Sequence, residues 1–200
     1  MNEKDGVVKY TLEFKQTKSI EFTCKDKIES IREELYALNL IGAYDDGIGF
    51  GNISLKNQDG FVITGTQTGH KIHLNIEDYS LVEKVNFETF TTYASGQCKP
   101  SSEAITHACI YELDESIGAV IHIHDEKLWR YMLENDFINT SDVEYGSLDM
   151  IKDIKEIYKE LDMLENNAFA MKGHFEGVFV FDKTLQKAKE HLFEILACLK

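Results

Sequence analysis

Stretches that alternate apolar and polar residues, as strands do, are interleaved with stretches whose apolar residues recur every three to four positions, as amphipathic helices do; this predicts a mixed α/β fold. The length supports one unit: 200 residues fit a single domain spanning 1–200 and bury most of their apolar surface without disulfides or a structural metal. Composition agrees, because 43% hydrophobic residues and a single proline, Pro100, leave no room for long disordered linkers.

Residues 7–14 carry β-formers with approximate alternation, and Ile20-Glu21-Phe22 reads as a second short strand pairing back, so an edge hairpin is expected at the start. From about residue 27 to 38, Ile28, Ile31, Leu35 and Leu38 follow helical spacing, with Asp26 as the expected cap. The segment 41–54 holds four glycines within ten residues, Gly42, Gly47, Gly49 and Gly51, which excludes a stable helix. Residues 53–55 and 60–63 then flank Asn57-Gln58-Asp59-Gly60, a hairpin signal. Further strands are expected at 81–85 and 90–94. A helix opens near Ser101 or Ser102, just after Pro100, with Ile105, Ala108 and Cys109 inward. A buried strand at 119–124 follows. A helix over 126–135 carries Leu128, Trp129, Met132 and Leu133, and another carries Ile151, Ile154, Ile157, Tyr158 and Leu161. Apolar runs at 168–174 and 177–182 flank a turn bearing His174, and a last helix from about 183 to 200, capped by Asp182, buries Leu185, Ala188, Leu192, Ile195, Leu196 and Leu199.

Chemistry concentrates on Gly118-Ala119-Val120-Ile121-His122-Ile123-His124-Asp125. On a strand, His122 and His124 point the same way, about 6 to 7 Å apart. They read either as half of a metal site, whose third ligand comes from elsewhere in the chain, or as hydrogen-bonded histidines at a strand end. The loop Thr64-Gly65-Thr66-Gln67-Thr68-Gly69-His70 mixes hydroxyls and glycines directly after a strand. It is readable as an anion nest of backbone amides or as an ordinary turn. His70 and His73 lie in that loop region and are left out of the metal set. At the helix opening, Ser101 and Ser102 stand where free N–H groups attract anions, while Glu103 there has the simpler role of complementing the helix dipole.

A formal charge of −14 argues against a binder of the nucleic-acid backbone. The four cysteines, Cys24, Cys98, Cys109 and Cys198, form no Cys-x-x-Cys pair and read as free thiols in a reducing compartment. With neither a signal-peptide pattern nor an apolar run near the ~20 residues that span a bilayer, a cytoplasmic protein without membrane contact is expected.

Gly51-Asn52-Ile53-Ser54, Lys99-Pro100-Ser101-Ser102-Glu103, His122-Ile123-His124 and Gly173-His174, in that order and spacing, resemble the class II aldolase and adducin family. The resemblance runs from about residue 27 to the C-terminus and leaves 1–24 outside, as an extra N-terminal β segment. It implies a three-layer α/β/α fold with a mostly antiparallel central sheet, assembled as a homotetramer with sites near subunit interfaces. It also implies Zn2+ held by His122, His124 and His174, about one per chain, and Glu103 as proton donor and acceptor. Asn52, Thr68, Gly69, Ser101 and Ser102 are implied to grip a phosphate, with Thr66-Gln67-Thr68-Gly69 matching a family loop but lacking its proline. The implied activity is a lyase that cleaves a small hydroxycarbonyl compound, a sugar phosphate, through a metal-stabilised enediolate. Alternatives are a dehydratase or 4-epimerase on a sugar phosphate, and a non-catalytic assembly module like the adducin head.

Three departures mark a divergent branch: Asp125 after the His-x-His pair, readable as a carboxylate supporting a ligand histidine; the longer turn His174-Phe175-Glu176-Gly177; and the glycine-rich entry at 44–50. Tyr131 and Tyr145 are candidates for a tyrosine that assists from a neighbouring chain.

Overall fold

The computed structural model describes residues 7–18, 20, 22–161 and 165–199. The chain runs β1 (Thr11–Gln16), α1 (Lys25–Ala37), β2 (Gly42–Ala43), β3 (Gly49–Phe50), β4 (Asn52–Asn57), β5 (Gly60–Thr64), β6 (Tyr79–Asn86), β7 (Thr91–Gly96) and α2 (Ala104–Leu113). It continues with β8 (Ala119–His124), α3 (Glu126–Glu134), β9 (Ile138–Asn139), α4 (Leu148–Ile157), β10 (Ala168–Ala170), β11 (Gly177–Asp182) and α5 (Leu185–Ala197). Nine strands form one sheet in the order β1-β7-β6-β5-β4-β8-β11-β10-β9, and β2 pairs with β3 separately. Only β1 with β7 and β9 with β10 run parallel; the remaining pairs of the large sheet are antiparallel.

Helices cover both faces of the sheet. Ile28, Ile31 and Leu35 of α1, Leu128 and Met132 of α3, and Leu185, Ala188, Leu192 and Ile195 of α5 pack in one core with Ile121, Ile123, Val178 and Val180. Ile105, Cys109 and Ile110 of α2 and Met150, Ile151 and Ile154 of α4 pack in a second core with Val120, Phe179 and Phe181. The membership of the two cores follows strand alternation, odd residues of β8 facing one and even residues the other. Each fully buried aliphatic side chain here contributes about 1.5–3 kcal/mol. His122 and His124, even-numbered, therefore belong to the α2 and α4 side. Among the described residues no helix is long and apolar enough to cross a membrane.

The N-terminal hairpin expected from the sequence does not form. Strand β1 instead adds in parallel to β7, from Thr11 opposite Thr91 to Gln16 opposite Gly96. Residues 20 and 22 lie in no strand, and residue 21 is outside the described residues. Ile20 is buried in the first core, so its apolar character serves packing rather than a strand. Two expected caps also move. Asp26 sits inside the first turn of α1, where its carboxylate favours the helix dipole, and Cys24 takes the N-cap position. For α5 the cap is Thr184, whose hydroxyl accepts from the Lys187 amide at 3.3 Å, while Asp182 still belongs to β11.

One buried polar chain ties α2 to the sheet. His107 Nε2 donates to Asn52 Oδ1, so its Nδ1 accepts from Ser54 Oγ at 2.7 Å, and Ser54 Oγ in turn accepts from the Tyr111 hydroxyl at 2.8 Å. Burial pushes the His107 imidazole down to about 3, keeping it neutral in this chain. As pH falls from about 6.5 toward 3, the unfolded chain takes up a proton here that the folded chain refuses. Native stability should therefore drop by up to about 1.4 kcal/mol per pH unit from this group. Denaturant unfolding at pH 7, 6 and 5 should show a shallower loss in His107→Gln than in the parent, by about one bound proton; equal slopes would show that His107 carries no such penalty.

Candidate active site

The nine residues that the resemblance implies as metal, catalytic and phosphate groups border one cleft: Asn52, Thr68, Gly69, Ser101, Ser102, Glu103, His122, His124 and His174. Three features of the fold bring them there. Alternation along β8 aims His122 and His124 at the α2 side. The turn between β10 and β11 carries His174 to the same end of the sheet, because Gly177, just past the turn, is paired with His124. Pairing of Asn52 with His122 places the start of β4 beside them. Gly51, at φ +74°, makes that start possible, since a Cβ on it would lie 2.7 Å from Ile41 Cγ1.

The three imidazoles are buried, and their candidate ligand atoms all lie within 4.8 Å of one another. His122 Nδ1 donates to the Val178 carbonyl at 3.1 Å, which leaves Nε2 as the lone-pair nitrogen. His124 Nδ1 meets the Tyr44 hydroxyl at 2.7 Å, and that hydroxyl donates to Glu176 Oε2 at 3.1 Å. A Tyr44 hydroxyl that donates to a carboxylate accepts from His124 Nδ1–H, so His124 Nε2 also presents a lone pair. The two Nε2 atoms are 3.1 Å apart. Two nitrogens about 2.0–2.1 Å from one ion at a tetrahedral angle sit about 3.3 Å apart, so the spacing suits joint ligation. Burial above all, then the neighbouring imidazoles of His124, His174 and His107, holds His122 well below its ordinary pKa, in the neutral form that ligates metals. Three nitrogen donors with a cleft beside them fit a metal that keeps one position for water or substrate.

Glu103 sits at the N-cap of α2 rather than within its first turn. Its Oε2 accepts from Thr106 Oγ1 at 2.6 Å, and its Oε1 lies 3.6 Å from His174 Nδ1. The carboxylate is only 3% exposed, so its environment is largely dehydrated. Beside it, Ser101 Oγ accepts from Asn52 Nδ2 at 3.0 Å and from the Glu103 amide at 3.3 Å, leaving its own O–H as the remaining donor. Thr68 spends its hydroxyl on the Gly65 carbonyl at 2.8 Å, so what that loop offers the cleft is chiefly backbone.

Asp125 does not support a histidine: it caps α3, accepting from the Leu128 amide at 2.7 Å, and Tyr44 with Glu176 takes the place beside His124. Tyr145 lines the cleft of its own chain, its ring stacked on His174 at 4.6 Å between centroids, whereas Tyr131 packs against Phe137. His70 is exposed, and His73 pairs with Glu33 at 2.9 Å, away from the cleft. Sequence reasoning did not single out Tyr44, Glu176, Tyr10 or Arg32. Tyr10 donates to the Ser101 carbonyl at 3.0 Å from β1's approach, and Arg32 of α1 holds the loop that carries Thr68 and Gly69. Glu176 left a trace in the lengthened turn after His174, and Tyr44 in the glycine-rich entry at 44–50.

Comparison with solved structures gives the same fold at low identity, which speaks to the fold alone. YgbL from Escherichia coli aligns with a TM-score of 0.62 at 19% identity, covering 86% of this chain and 84% of that one. L-fuculose-1-phosphate aldolase from Thermus thermophilus aligns at 0.60 and 18%, covering 88% of each chain. A sugar-phosphate aldolase from Thermotoga maritima aligns at 0.60 and 18%, covering 86% of this chain and 94% of that one. No curated protein sequence matches the chain. The sequence model of the family described as the class II aldolase and adducin N-terminal domain, however, matches residues 42–200, a span holding His122, His124, His174, Glu103, Ser101 and Ser102. On that match, and in agreement with the three-layer sheet and helices around it, the chain belongs to the class II aldolase and adducin family.

Proposed function

We propose that this chain is a zinc-dependent lyase of the class II aldolase type, cleaving a carbon–carbon bond in a small hydroxycarbonyl compound, a sugar phosphate. The observation that carries the reading is the convergence of three buried imidazoles, two with lone pairs aimed at one point, on the same cleft as a dehydrated carboxylate. A non-catalytic module has no use for that combination.

His122, His124 and His174 would hold the ion. A zinc ion held there would supply a Lewis acid for the negative charge that develops on the substrate. Glu103 takes the proton from the hydroxyl whose carbon leaves as an aldehyde, and returns a proton to the carbon that inherits the bonding pair. The Thr106 hydrogen bond fixes one carboxylate oxygen and so orients the other. Asn52, Ser101, Ser102 and the loop backbone at Gly69 take the phosphate at the far end, setting the reacting bond against Glu103. The chain is read as one domain with residues 1–24 as an added N-terminal β segment, working in the cytoplasm as a homotetramer.

Elemental analysis of the purified protein should find about one zinc per chain, lost in His122→Ala, His124→Ala and His174→Ala. Wild-type protein that takes up no divalent metal when it is supplied would sink the proposal. Glu103→Gln should keep the metal and lose cleavage of hydroxyketone phosphates by about 10²–10⁴-fold. Tyr44→Phe, which removes the hydroxyl beside His124, should weaken zinc binding by about 10–100-fold in competition with a chelator; an unchanged affinity would show that Tyr44 does not orient the ligand.

A further inference from the structure

The loop between β5 and β6 forms one wall of the cleft with residues 65–69. Behind that wall lies Arg32 of α1, 1% exposed and outside the span matched by the family. Among the described residues its guanidinium bonds only to backbone carbonyls: Nη1 to Ile72 at 2.8 Å, Nη2 to Thr68 at 3.1 Å and to Gly69 at 3.4 Å. One turn away on the same helix, Glu29 accepts from the Leu74 amide at 2.7 Å and from the Tyr79 hydroxyl. Helix α1 thus grips the loop twice, with a cation on its carbonyls and an anion on an amide.

A trans peptide unit carries its N–H opposite its C=O. Turning the Thr68 carbonyl toward α1 therefore turns the Gly69 N–H away from α1. The space near that nitrogen is kept open by a second glycine: a Cβ on Gly49 would lie 3.1 Å from Gly69 N, and both residues border the cleft. With the Thr68 hydroxyl committed to Gly65, the amide is the donor this part of the loop has to give.

We infer that Arg32 is the positioning residue of an oxyanion cradle, orienting the Thr68–Gly69 peptide so that its N–H receives a phosphoryl oxygen of the substrate. The inference rests on the reading of the substrate as phosphorylated. Arg32 acts by direction rather than by long-range attraction, because Glu29 and Asp78 are close enough to offset its charge. Lysine does not replace it: a flexible ammonium lacks the planar fan of donors that reaches three carbonyls at once.

Hydrogen exchange of the loop segment 64–74 in the zinc-loaded protein, followed against inorganic phosphate, tests the inference. Phosphate should slow exchange there in the wild type. In Arg32→Lys about tenfold more phosphate should be needed for the same protection, as expected when a well-aimed hydrogen bond to an anion is lost, with zinc content unchanged. Wild-type protection matched by Arg32→Lys at the same phosphate concentration would remove the role of Arg32 and leave the phosphate reading standing. No protection of the wild type at any concentration would remove both. Should Arg32→Lys exchange faster throughout the chain, Gly49→Ala decides: its methyl crowds the Gly69 nitrogen while Arg32 stays in place, so it should also weaken protection about tenfold, and unchanged protection overturns the inference.

Discussion

Burying three imidazoles against one another is the constraint around which this structure is arranged. Each polar nitrogen must be given a direction, because an unsatisfied polar atom in such a place costs about 1–3 kcal/mol. The Val178 carbonyl does this for His122, and the Tyr44 and Glu176 pair does it for His124. Phe179 stacked on His122 and Tyr145 stacked on His174 fill the remaining faces with apolar contact, so the rings have little freedom to turn. What the packing leaves uncovered is the cleft side, where Glu103, Asn52 and the serines stand.

The cleft's polar wall is held from behind by a series of buried hydrogen bonds. Tyr111, Ser54, His107, Asn52 and Ser101 form one relay, which determines the orientation of the Asn52 amide and the tautomer of His107 together. Tyr10 adds a bond from outside the matched family span, to the Ser101 carbonyl at the opening of α2. Arg32 does the same for the opposite wall. Both walls are thus positioned by residues that do not themselves border the cleft, and both supports come from the first forty residues. The β1 strand and α1 therefore do more than extend the sheet and cover the core.

Much of this was legible in the chain. Apolar periodicity located every helix longer than eight residues to within a few positions, since burial of one helical stripe demands that spacing. The alternation of β8 placed His122 and His124 on one face before any neighbour was known, and glycine density marked the tight backbone at 42–51. The hairpin expected at the N-terminus failed because pairing between strands is decided by what edge is available: β7 offered an open edge in register with β1. Two caps moved by two residues each, from Asp26 to Cys24 and from Asp182 to Thr184, because where a helix begins is set by packing as well as by local capping propensity.

By itself, then, the sequence determined the class of fold and the faces that pack, because these depend on local spacing, while the family resemblance of its motifs named nine side chains that border the cleft. The tertiary structure decided how those side chains are aimed. Glu176 beside His124, Tyr10 beneath Ser101 and Arg32 beneath Thr68 are separated from what they hold by 52, 91 and 36 positions. No period or motif links residues at such distances; only the closing of the sheet and the docking of α1 bring them within reach, and a hydrogen bond has effect only at about 3 Å.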